Sequence, residues 1–192
     1  MDRHALALCV YCGSNENVPR AYLDLADAVG AGLAARGWSL VWGGSSAAMM
    51  GVLARAARRS GATTLGVIPR GLVDLEKADP EADELVVVDT MRERKREMDE
   101  RAGAFLALPG GLGTCEELFE VWTSRYLGMH TKPVVLLDLD DHWAGLLEWC
   151  RELAGRGFAS QGALDALVVA RTVDEALDAC AVQAAGSDER LW

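Results

Sequence analysis

The run Phe105-Leu106-Ala107-Leu108-Pro109-Gly110-Gly111-Leu112-Gly113-Thr114-Cys115-Glu116-Glu117 decides how this chain reads. Its first four residues are apolar and few enough for a buried strand. Proline and glycine then break the run, and Leu118, Phe119, Val121 and Trp122 recur at helical spacing. A strand, a glycine turn and a helix start in that order make an anion site. Glycines let a ligand approach the backbone, and the first helical turn offers unpaired N–H groups and a favourable dipole. A phosphate is expected there, beside the carboxylates of Glu116 and Glu117. Thr114-x-x-Glu117 also has the form of a capping box, worth about 1 kcal/mol, in which Glu117 reaches back to the cap residue's N–H. The local pattern serves the capping and the catalytic reading of Glu117 equally.

On either side of this run, apolar strands alternate with helical patterns. Ala5 to Tyr11, Trp38 to Trp42, Thr63 to Ile68, Leu85 to Val88, Pro133 to Leu137 and Leu167 to Ala170 read as further strands. Thr90-x-x-Glu93 and Thr172-x-x-Glu175 read as helix starts. Residues 73–84 are acidic and lack a period, which predicts a surface loop. Such alternation gives an α/β fold, a parallel sheet with helices on both faces, in which ligands sit outside the carboxyl ends of the strands. Small-residue turns occupy that edge in three places: at Gly13 and Ser14, at Gly43 and Gly44, and at 109–113. All are expected to contact the ligand. One domain over 1–185 with a frayed tail at 186–192 fits the length of 192 residues.

The net charge of −10 argues against nucleic acid or an anionic membrane as the main partner. No apolar run is long enough to span a bilayer, and charged Asp2 and Arg3 lead directly into a strand, so a cytoplasmic protein without a signal peptide is expected. The five cysteines are scattered. Cys9-x-x-Cys12 falls on a strand where positions three apart face opposite sides, so free thiols are expected. Asp138, Asp140, Asp141 and His142 could mimic a metal cluster but read better as polar loop residues that cap the next helix. No metal and no cofactor is expected.

The first strand-helix turn lacks G-x-G-x-x-G, and the chain has no G-K-[ST], which disfavours dinucleotides and P-loop ATP hydrolysis. A mononucleotide or sugar phosphate remains. Arg92, Arg96 and Arg101 read as a solvated face. Arg94 differs, because Met91 and Met98 flank it at helical spacing; a guanidinium held there wants an anion, either phosphate or a carboxylate such as Glu117.

Pro-Gly-Gly-x-Gly-Thr-x-x-Glu at 109–117, preceded by Met91-Arg92-Glu93-Arg94-Lys95 and Met98, resembles the "Lonely guy" family of cytokinin riboside 5′-monophosphate phosphoribohydrolases, often mislabelled lysine decarboxylases. The resemblance runs from Val10 to Pro133. It implies a Rossmann-like, doubly wound fold, a homodimer with sites near the subunit interface, and a nucleoside 5′-monophosphate substrate. It implies that Arg94 and Glu117 are the catalytic pair, with Arg94 holding Glu117 ionised. It also implies that Glu76, Lys95, Gly110, Gly111, Leu112, Gly113, Thr114, Cys115, Glu116 and Thr123 contact the nucleotide, with Pro109 opening the turn. Three positions depart from the family: Arg92 stands for a histidine, Ser45 for a third glycine and Met49 for a later one. The last two are expected to crowd a turn that should approach the ligand. The reaction implied is hydrolysis of the bond from base to ribose, releasing free (N6-modified) adenine and ribose 5-phosphate. The alternative is a nucleotide-binding or carrier protein without turnover. Amino-acid decarboxylation is disfavoured, since Lys77, Lys95 and Lys132 stand in no setting that suggests a Schiff base.

Overall fold

A computed structural model describes residues 6–184; the expected tail at 186–192 lies outside them. The described residues form a seven-stranded sheet of β1 (Ala7–Tyr11), β2 (Ser39–Trp42), β3 (Thr64–Pro69), β4 (Glu84–Val88), β5 (Ala104–Ala107), β6 (Val134–Leu137) and β7 (Val168–Ala170). Their order is β4-β3-β2-β1-β5-β6-β7, and every neighbouring pair is parallel. Helices connect them: α1 (Arg20–Ala35), α2 (Ala48–Arg59), α3 (Met91–Arg101), α4 (Leu112–Tyr126), α5 (Ala144–Gly155), α6 (Gln161–Asp165) and α7 (Val173–Ala184).

Side chains alternate across the central strands and feed two cores. Leu8, Val10, Trp42, Leu106 and Val135 meet α1, α2 and α7 on one face. Cys9, Tyr11, Phe105, Ala107 and Leu136 meet α3, α4 and α5 on the other. Strands covered on both sides must be apolar at every position, which is why β5 and β6 read as unbroken hydrophobic runs. Cys9 and Cys12 fall into opposite cores, and Cys9, Cys12, Cys115, Cys150 and Cys180 are all free. Leu118, Val121 and Trp122 are buried in the second core, whereas Tyr126 stays exposed.

Chain direction across the sheet reverses between β1 and β5, so the connections leaving them pass to opposite faces and open a crevice. The Gly13 N–H donates to the Pro109 carbonyl at 3.1 Å and the Leu108 N–H to the Tyr11 carbonyl at 2.9 Å, fixing the two turns against each other.

Both outer capping boxes form. The Thr90 hydroxyl accepts from the Glu93 N–H while Glu93 accepts from the Thr90 N–H, and Thr172 and Glu175 do the same. The box expected at Thr114 does not. Helix α4 begins at Leu112 with Gly111 as its cap residue and no side-chain cap bond, so Thr114 lies inside the first turn. Glycine tolerates the cap position without a side-chain acceptor, which moves the helix start upstream of the threonine. Residues 73–84 are no plain surface loop either: after a 3₁₀ turn at Arg70–Leu72, the segment is fastened back onto the turn that follows β2.

Helices α1 and α2 touch at Gly30, where an added Cβ would lie 2.5 Å from the Leu53 carbonyl oxygen and 2.8 Å from the Ala56 Cβ. Alanine is the better helix former by about 1 kcal/mol, but backbone atoms cannot swing aside and overpacking costs ~1–3 kcal/mol. Gly30→Ala is therefore expected to lower the unfolding free energy by about 1–2 kcal/mol in urea denaturation. Gly145→Ala, at an open position in the first turn of α5, is expected to raise it by a few tenths, roughly its helix-propensity gain.

Candidate active site

A cavity of about 490 Å³ opens at the crevice, lined by the turn after β1 (Cys12 to Asn15), the glycine turn (Pro109 to Thr114) and side chains of Glu76, Arg94, Glu116 and Glu117. The first intrahelical bond of α4 near this turn runs from the Cys115 N–H to the Gly111 carbonyl, at 3.0 Å. The N–H groups of Leu112, Gly113 and Thr114 precede it and lack partners within the helix. Gly110 is glycine because the Thr114 hydroxyl stands 2.1 Å from where its Cβ would be, while Gly111 and Gly113 have open space there. The threonine thus packs under the turn, and the two open glycines face outward. This is a concave row of donors at the positive end of a helix.

Arg94 enters from α3. It is 5% exposed, and its guanidinium is held chiefly by main chain: Nε donates to the Val67 carbonyl at 3.1 Å and Nη2 to the Gly43 carbonyl at 2.8 Å. Nη2 also lies 3.5 Å from a Glu76 carboxylate oxygen. Residue 43 must be glycine for this, since a Cβ would fall 2.1 Å from Nη2. Met98 is fully buried in the second core, while Met91 is half-exposed, lines the cavity and accepts from Arg94 Nη1 through its sulfur at 3.9 Å.

Glu117 is partly buried one turn further along α4. Its carboxyl is pushed up to about 7, first by burial; nearby Arg94 opposes this, while Glu116 and Glu76 reinforce it. Arg94 favours the ionised form of Glu117, as expected, but burial has the larger influence. The guanidinium hydrogen-bonds the Val67 and Gly43 carbonyls and lies by Glu76, and it acts on Glu117 through its charge. Glu117 also borders a second cavity of about 500 Å³ beside Tyr11, Arg92, Lys95 and Glu120.

Of the residues expected to bind, Gly13, Ser14, Glu76, Arg94, Pro109, Gly110, Gly111, Leu112, Gly113, Thr114, Glu116 and Glu117 share the first cavity. Lys95 lies in the second, paired with Glu116 and Glu120. Gly43 acts through its carbonyl, and Gly44, at φ +74°, packs against Ile68 and Leu85. Cys115 lines neither cavity. Thr123 lies with Phe119, Trp122 and Tyr126 in a separate shallow apolar depression facing α5 and α6. The crowding expected from Ser45 does not occur, because that side chain is buried and turned away from the cavity. Met49 does line the cavity, and the strained backbone is that of Ala48, at φ +48°.

Reading the sequence missed His142. Its ring lines the cavity against the glycine turn, with Nε2 3.1 Å from the Gly110 carbonyl oxygen and 3.3 Å from the Gly110 nitrogen, edge-on to Tyr22. The helix cap expected from the loop at 138–142 does not form, since α5 begins after Trp143 with no side-chain cap bond; Asp138 instead accepts from the Trp143 N–H at 3.0 Å. A histidine just past a strand's carboxyl end was the available signal. Asn15, Asn17, Tyr22 and Met50 complete the wall. Among the described residues, no group of three or more His, Cys, Asp or Glu is placed to hold a metal ion, and no helix is long and apolar enough to cross a membrane.

A family model described as "Possible lysine decarboxylase" matches residues 50–180. A cytokinin riboside 5′-monophosphate phosphoribohydrolase of Mycobacterium marinum is 52% identical over 174 residues, covering 91% of this chain and 92% of that protein. One of the same name from Mycobacterium tuberculosis is 49% identical over the same shares of the two chains. Among solved structures, the molybdenum cofactor carrier protein of Chlamydomonas reinhardtii superposes with a TM-score of 0.71 at 21% identity, covering 95% of this chain and 99% of that one, which is a likeness of fold alone. With the arginine, the glycine turn and Glu117 converging on one crevice, and with half of all residues shared along nearly the whole length of such relatives, the chain belongs to the Lonely guy family.

Proposed function

We propose that this protein hydrolyses the N-glycosidic bond of adenosine 5′-monophosphates, including N6-modified ones, releasing the free base and ribose 5-phosphate. One observation carries the reading: a partly buried carboxylate, Glu117, shares a nucleotide-sized cavity with the open N-terminus of α4. The relatives named as phosphoribohydrolases support it.

In this reading the 5′-phosphate sits on the N–H groups of Leu112, Gly113 and Thr114. It is remote from the broken bond, and its binding energy positions the ribose. As the bond from C1′ to the base nitrogen lengthens, the sugar gains oxocarbenium character. Ionised Glu117 stabilises that charge and takes a proton from the attacking water as its oxygen bonds to C1′. The electron pair of the broken bond leaves with the base, and the proton passes to the base nitrogen. Arg94 supplies a fixed positive charge at the cavity wall. Met49, Met50 and Met91 offer an adaptable apolar wall for the base.

Decarboxylation gains no support from the site. Lys77 pairs with Glu16, Lys95 with Glu116 and Glu120, and Lys132 with Asp99; none lines the first cavity.

Chromatography of reaction mixtures tests the proposal: free adenine should appear from AMP, and adenosine should be cleaved at least 100-fold more slowly, because the phosphate supplies the positioning energy. Equal turnover of the two would remove the phosphate cradle from the mechanism. Glu117→Gln should fold normally and lose at least 100-fold in kcat, the scale of a general base; a variant as fast as wild type would end the role given to Glu117.

The raised Glu117 carboxyl has two consequences for pH. Because only the ionised form acts, kcat/KM should climb as pH rises through about 7. The folded protein also holds this proton more tightly than the unfolded chain, so the group's contribution to stability is present below about 4.5 and is lost as pH rises through about 7. Glu117→Gln lacks this loss. Urea midpoints at pH 4.5 and pH 8 should show the variant gaining about 1–3 kcal/mol relative to wild type at the higher pH.

A further inference from the structure

We infer that Ser45 is a positioning residue for the nucleotide site, acting through Glu76; the inference rests on the mononucleotide reading given above. Ser45 follows Gly44 in the turn after β2 and is 1% exposed. Its hydroxyl donates to the main-chain carbonyl of Glu76 and accepts from the Ala47 N–H at 3.1 Å, so both its donor and an acceptor site are used inside the protein.

Glu76 lies in the strap between β3 and β4, which contributes a single carboxylate to the cavity, 3.5 Å from Arg94 Nη2. Arg94 attracts the Glu76 carboxylate while Glu116 and Glu117 line the same cavity, so the aim of that carboxylate depends on how the strap's backbone is held. The turn after β2 holds it at three successive points. Ser45 takes the Glu76 carbonyl. The Ser46 N–H and hydroxyl both donate to the Lys77 carbonyl, each at 2.8 Å. The Asp79 N–H donates to the Gly44 carbonyl at 2.8 Å, and the buried Asp79 carboxylate meets Arg58 at 2.9 Å.

The same turn supplies the Gly43 carbonyl that holds Arg94. One short stretch therefore sets the arginine and the glutamate relative to each other. Ser46 and Asp79 keep the strap attached when the Ser45 hydroxyl is removed. What is lost is the fixed placement of the Glu76 backbone, and with it the aim of its carboxylate. A contact made equally in the bound substrate and the transition state appears in KM and not in kcat.

A double-substitution cycle on adenine release from AMP is the test. Ser45→Ala should raise KM about fivefold, the scale of one buried neutral hydrogen bond, with kcat within about twofold of wild type. Glu76→Gln should raise KM at least as much, and adding Ser45→Ala to it should change KM no further. A serine needed only for folding would lower kcat through loss of active protein, leave KM alone, and do so equally in both backgrounds; that result overturns the inference, as does a KM effect that persists undiminished in Glu76→Gln. If Ser45→Ala does not fold, Ser45→Gly lacks the same hydroxyl, needs no space, and carries the same expectation. A wild-type protein that binds AMP by calorimetry but releases no adenine would overturn the hydrolase reading alone, and the cycle would then be judged on the dissociation constant for AMP, with the same factors. No AMP binding at all would overturn both.

Discussion

A guanidinium taken out of water demands partners, and an unpaired one would cost several kcal/mol. Arg94 finds them in the carbonyls of Val67 and Gly43, at the carboxyl ends of β3 and β2, with Glu76 alongside. Those carbonyls are in reach because β2 and β3 are parallel and β2 ends at Trp42, opposite Gly66, so that Gly43 and Val67 come next to each other just past the last paired residues. Much of the site hangs from this contact. It fixes the height of α3 over the sheet, requires glycine at 43, and sets the edge against which the Glu76 strap is drawn.

Glu117 shows how burial and charge compete within that frame. The charge of Arg94 favours the ionised carboxylate, in the direction that the family resemblance implied. Burial, reinforced by the negative charges of Glu116 and Glu76, outweighs it, and the group is pushed up to about 7. A carboxyl near neutrality can accept and return a proton at little cost, which suits a base better than a permanently charged anion does. The same burial makes the folded state carry strain that a neutral side chain would relieve.

The strands and the strand-turn-helix around 105–117 were legible in the sequence because they are local: periodicity, turn residues and a helix start within a dozen positions; the place of Arg94 beside them came from the family resemblance. The Thr90 and Thr172 caps were legible for the same reason. Of the two readings left open for Glu117, the Thr114 box does not form, because Gly111 caps the helix without any side chain to signal it. Ser45, His142 and the strap at 73–84 were misread for a different cause. Each takes its meaning from a partner about thirty residues away, Glu76 for Ser45 and Gly110 for His142, and no periodicity encodes such a pairing. Lys95 belongs with them, since its engagement by Glu116 and Glu120 depends on how α3 and α4 lie together.

That Arg94 is anchored on carbonyls has a further consequence. Main-chain acceptors do not depend on side-chain chemistry, so apart from the glycine needed at 43 the residues around the cation can drift without removing its two carbonyl partners. Met49 and Met50, which face the same hollow, make no hydrogen bond to the cation, whereas the Met91 sulfur accepts from Arg94 Nη1 at 3.9 Å. Substrate preference in this architecture can evolve on one wall while the charge that serves the bond-breaking step stays where the peptide backbone put it.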